Sequence, residues 1–84
     1  MRLVATSSER ILLIAQVIER YVAEHPRAAD TAKGIHTWWV APHRRDDSLA
    51  DVQQALDHLV ALGRFSRTVL ADGTAIYSRA ADSN

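Results

Sequence analysis

The groups in this chain best equipped for chemistry are charged and polar residues gathered in its second half. Arg44 and Arg45 stand together, and Arg64, Arg67 and Arg79 follow at wider spacing. Between these two basic groups lie Asp47, Ser48, Asp51, Gln53, Gln54, Asp57 and His58. Guanidinium groups pair with phosphate and carboxylate, and a Gln amide can match an adenine edge with two hydrogen bonds. That is the chemistry of recognition, not of bond making. Ser48, Ser66 and Ser78 lack the context of a nucleophile elbow, and three scattered glycines make no phosphate-binding loop. The histidines His25, His36, His43 and His58 contain no pair four residues apart, and there is no cysteine to complete a ligand set. They read as solvated or capping groups. Asp57 and His58 point different ways round a helix and make no catalytic pair. No enzyme, no metal centre and no cofactor is expected, since a domain this small has little room for a pocket.

The elements that position these groups have to come from 84 residues, enough for a single domain over 1–84 with one core. A domain of this size buries only about 60% of its unfolded surface. With 48% hydrophobic residues the chain is too apolar to be a disordered segment. Its ten basic and ten acidic residues cancel to a formal charge of zero, so any attraction to a polyanion depends on how the basic residues are grouped. The longest apolar run, Ile11 to Ala15, is far short of the roughly 20 residues that span a bilayer. No secretory signal is evident, and a cytoplasmic protein is expected.

Hydrophobic spacing predicts three helices, at about 7–24, 31–41 and 47–62, followed by a hairpin at about 65–79. Residues 1–5 read as an extended lead-in, and Thr6 and Glu9 have the spacing of a capping box. On the first helix Ile11, Ile14, Val17, Ile18, Tyr21 and Val22 share one side, which leaves Leu12 and Leu13 to be covered by another part of the chain or by another chain. Pro26 ends this helix. Asp30 is placed to cap the second helix, which Pro42 stops. There Ile35 lies between Trp38 and Trp39, so both indoles are expected to flank the core, with one partly exposed Trp as the alternative. In the third helix Leu49, Val52, Leu56, Leu59 and Val60 form the buried stripe, and Asp46, Asp47 or Ser48 serves as its cap. Gly63 supplies the left-handed stop. The runs from Phe65 to Leu70 and from Ala75 to Arg79 flank Asp72-Gly73, which matches a two-residue type I′ turn. That turn pairs Val69 with Ile76 and Thr68 with Tyr77, leaving open which face of the ribbon packs inward.

Three helices and a terminal hairpin, closing with Val52, Leu56, Leu59, Leu62-Gly63-Arg64-Phe65 and then Asp72-Gly73 and Tyr77, resemble the winged helix-turn-helix fold of small bacterial regulators with MarR-like or ArsR-like architecture. The resemblance covers nearly the whole chain through an architectural rhythm and not through a specific motif. It implies an α+β fold in which the hairpin is the wing and helix 47–62 is the recognition helix of a DNA-binding transcriptional regulator. It places Ser48, Ala50, Asp51 and Gln54 at base edges in the major groove, with Gln53 on the flank. It places Arg44, Arg45, Arg64, Arg67 and Arg79 on phosphates.

One departure from that pattern opens a second reading. The face opposite the buried stripe of the third helix carries Asp47, Asp51 and Asp57 and no Lys or Arg. Three carboxylates between phosphate strands would be repelled. An adaptor or accessory subunit would instead use Asp47, Asp51, Asp57 and His58, with Leu12, Leu13 and Trp38, to meet a protein partner. Leu12 and Leu13 on the first helix are also the candidate contacts of a homodimer.

Overall fold

The computed structural model describes residues 7–81. Among them the chain forms α1 (Ser7–Glu24), β1 (Ala29–Asp30), a second helix α2 (32–40), α3 (Leu49–Ala61), β2 (Phe65–Val69) and β3 (Ala75–Arg79). This is an α+β fold of three helices and one antiparallel three-stranded sheet in the order β1-β3-β2. The expected lead-in and the cap at Thr6 lie outside the described residues.

Helix α1 buries Ile14, Ala15, Ile18 and Val22, with Ile11, Val17 and Tyr21 packed at the margin of the core. Leu12 and Leu13 remain 48% and 42% exposed, so no described part of the chain covers them. After Glu24 the His25 N–H donates to the Tyr21 carbonyl at 2.8 Å, and Pro26 prevents further helix. The stretch between the first two helices, for which no strand was expected, holds β1: Ala29 pairs with Ser78 and Asp30 with Tyr77. Two residues are too few for any periodicity, and what makes them a strand is a partner far along the chain.

The second helix departs furthest from expectation. Its N-cap is Thr31, not Asp30, and the Thr31 hydroxyl accepts from the Gly34 N–H at 3.1 Å. Asp30 belongs to the sheet and accepts from the Thr31 N–H at 2.7 Å. A side chain at position 34 would put its Cβ 2.0 Å from the Asp30 Oδ1, which is why glycine stands there. One α turn, Ala32–Gly34, runs directly into a π-helix over Ile35–Val40, with the Ala41 N–H reaching back five residues to the His36 carbonyl. A turn closed by five residues is wider than an α turn, so each residue advances less around the axis. Trp39 and Val40 therefore straddle Ile35 in the core, and Trp38 swings out to 69% exposure. The expectation of two core indoles holds for Trp39 alone, which stacks on Tyr21 at 4.4 Å between ring centres.

Helix α3 opens at Ser48 with a capping box and buries Val52, Ala55, Leu56 and Leu59. Leu49, expected in the buried stripe, is the first residue of the helix and is 44% exposed, outside the core cluster. The helix ends in a Schellman closure: the Gly63 N–H donates to the Val60 carbonyl and the Arg64 N–H to the Leu59 carbonyl. Gly63 adopts φ +76, as its place after Leu62 predicted.

The hairpin is shifted by one residue from the predicted register. Phe65 pairs with Arg79, Arg67 with Tyr77 and Val69 with Ala75. A type I′ turn needs positive φ at both central residues, and here only Gly73 has it, at φ +90. The loop instead closes through Leu70 N–H to Thr74 O at 2.7 Å and Gly73 N–H to Leu70 O at 2.9 Å, which makes a three-residue turn. A slip of one residue flips side chains between faces. In this register Phe65 and Tyr77 share a face, and both are buried.

Gly63→Ala forces an alanine into left-handed backbone and lowers the unfolding free energy by about 1 kcal/mol, measured by chemical denaturation. The Asp72 carboxylate accepts from the Thr74 N–H at 2.9 Å, which holds its pKa below the usual aspartate value. A depressed pKa adds stability above the ordinary value and loses it as pH falls through the lowered one. An NMR titration is expected to show Asp72 protonating below the usual aspartate range, and Thr74→Pro, which removes the donor, to raise it.

Candidate functional site

The connection from α2 to α3 carries the densest polar contacts. The His43 and Arg44 N–H groups both donate to the Val40 carbonyl and close α2. The Arg44 side chain then folds onto Asp47, with Nε on Oδ2 and Nη2 on Oδ1 at 3.2 Å. Arg10 reaches in from α1, with Nη1 3.4 Å from the same Oδ1 and 3.9 Å from Oδ2 of Asp51. The Asp47 side chain is only 1% exposed. Its main-chain carbonyl lies 2.8 Å from Nε2 of His36, and because a carbonyl only accepts, that nitrogen carries the proton. The hydrogen bond to Asp47 raises the Arg44 pKa further above its ordinary value. Asp47 therefore ties α1, α2 and the start of α3 together.

These contacts reassign several expected recognition residues. Asp47, expected on the outer acidic face, is buried one turn before that face begins. Arg44, expected on phosphate, is committed to Asp47. The Ser48 hydroxyl accepts from the Asp51 N–H at 3.0 Å, and Asp51 accepts from the Ser48 N–H at 3.4 Å, so both serve the cap of α3. Gln53 Nε2 donates to the Tyr77 hydroxyl at 2.7 Å and to Asp57 at 3.0 Å, tying α3 to the sheet. Arg64 Nη1 lies 3.1 Å from both carboxylate oxygens of Glu19 on α1.

What remains exposed on α3 is Leu49, Ala50, Gln54, Asp57 and Ala61, of which only Asp57 is charged. Arg45, Arg67 and Arg79 are exposed and make no ion pair among the described residues. The register places Arg67 opposite Tyr77 and Arg79 opposite Phe65, so both arginines project from the ribbon face that meets α3. The predicted register would have set them on opposite faces.

The partner-contact residues expected from sequence are dispersed. Leu12 and His58 line an open groove of about 380 Å³ between α1 and α3, together with Ser8, Ile11 and Gln54. Leu13 lies outside that lining, and Trp38 stands on α2. The Arg10–Asp51 and Glu19–Arg64 pairs show that α1 and α3 run in the same direction. Among the described residues no group of three or more His, Cys, Asp or Glu is placed to hold a metal ion, and no helix is long and apolar enough to cross a membrane. Compared with protein-family models, curated proteins and solved structures, the chain matches none.

Removing the Asp47 carboxylate takes away the buried acceptor that the partly exposed Arg10 and Arg44 share. Asp47→Ala is expected to lower stability by about 2 kcal/mol, the scale of a charge-assisted hydrogen bond, in chemical denaturation. A loss as small as that of a typical surface ion pair would contradict the role given to Asp47.

Proposed function

We propose that this chain is a winged helix-turn-helix domain that binds double-stranded DNA, with α3 as the recognition helix and the β2–β3 hairpin as the wing. The observation that carries this reading is the placement of Arg67 and Arg79, exposed and without an ion pair among the described residues, on the ribbon face that meets α3. Internal pairing also thins the acidic face that argued against DNA: Asp47 is buried, and Asp51 caps its helix and lies near Arg10. In this reading Gln54 faces the base edges, while Arg45, Arg67 and Arg79 lie against phosphates. Arg44 and Arg64 no longer belong among the phosphate contacts, because carboxylates of this chain already hold them.

The test is a titration with mixed-sequence duplex at low salt, repeated as salt rises. Binding should weaken as a power of salt concentration. Arg67→Ala and Arg79→Ala should each flatten the log–log slope by about 1, whereas Arg64→Ala should leave it nearly unchanged. A chain that does not bind duplex even at low salt would end this reading.

A second reading, a protein-binding adaptor, is supported by Trp38. Helix α2 presents this indole largely to solvent, and tryptophan is enriched at binding hot spots. It predicts no DNA binding at low salt.

A further inference from the structure

On α1 the residues Glu9, Leu12, Leu13, Gln16 and Arg20 are all exposed. At about 100° per residue they fall within roughly 60° of one line along the helix, opposite the buried Ile14 and Ile18. The stripe has an order: an acid at its start, two leucines and an amide in the middle, a base about three turns later. Arg20 makes no ion pair among the described residues. Glu9 has a partner of its own within the chain. A carboxylate has two oxygens that together accept roughly four hydrogen bonds, so a further donor fits beside that partner.

We propose that two copies of this chain pair through α1, antiparallel and related by a two-fold axis. Such an interface is self-complementary, because residue i of one copy meets residue j of the other and the reverse. With the axis between Ile14 and Ala15, Glu9 meets Arg20 of the second copy and Arg20 meets its Glu9. Leu13 meets Gln16, and the four leucines close over the middle. The charge order of the stripe selects this occupant: its own sequence, reversed, supplies the opposite charge at each end and apolar surface between. Two parallel copies would instead set acid on acid and base on base. The inference is independent of the DNA reading, since the surface lies on α1 and its test contains no nucleic acid.

Sedimentation equilibrium or light scattering across protein concentration reads the result. The unaltered chain is expected to approach twice the monomer mass as concentration rises, and Leu13→Glu to stay monomeric. Glu9→Lys and Arg20→Glu should each weaken association about tenfold or more, because each sets like charges together at both ends. Mixed in equal amounts, those two variants should recover the dimer, since each end then joins opposite charges. Circular dichroism and thermal melts confirm that every variant is folded. A chain that remains monomeric at high concentration overturns the proposal. So does a dimer indifferent to Leu13→Glu, or a mixture that associates no better than its components.

Discussion

A carboxylate only 1% exposed sits at the junction of all three helices, and the arrangement of the domain depends on how it is satisfied. Left alone, a charge buried as deeply as that of Asp47 would cost several kcal/mol. Arg44 supplies two donors from the neighbouring turn, and Arg10 supplies a third from α1. His36 fixes the main chain of the same residue from α2. The cost of burial thus becomes a constraint on geometry, since α1 must be in place for the charge to be fully paired and α2 for the main-chain carbonyl of the same residue to find its donor. The apolar residues beneath, Ile14, Ile35, Val52 and Leu56, supply attraction without direction. The ion pair and its hydrogen bonds supply direction.

The same economy of charge governs the surface. A formal charge of zero describes the sum and says nothing about which charges a partner can reach. Arg44 and Arg64 are spent on Asp47 and Glu19, and Asp51 is shared between its helix cap and Arg10. After these internal pairings the outer side of α3 and the adjoining hairpin face carry Arg67 and Arg79 against Asp57. A reading that treats every charged residue as available misjudges both the attraction and the repulsion this surface offers.

Much of the fold was legible in the sequence, for identifiable reasons. Helices α1 and α3 declared themselves through long apolar periodicity, and their ends through Pro26 and Gly63, which act locally. The hairpin was legible as a hairpin from its β-branched runs around Asp72-Gly73. Its register was not, because an Asp-Gly pair suits both a two-residue turn and a three-residue loop. Only the backbone angle at Asp72 separates them, and strand pairing decides it. The π-helix in α2 left no local mark either, so a wheel drawn at α spacing put Trp38 beside the core.

By itself the sequence determined the three helices and the hairpin, the stop of α3, and the residues from which any recognition surface has to be drawn. These follow from propensity, periodicity and turn chemistry, which act over a few residues. Tertiary structure alone decided the strand at Ala29–Asp30, the exposure of Trp38, the shared face of Arg67 and Arg79, the burial of Asp47, and the pairing of Arg44 and Arg64 with carboxylates of this chain. Most of these depend on contacts between residues distant in the chain, such as Arg10 with Asp47 or Asp30 with Tyr77, and a local pattern holds no record of which distant partner arrives.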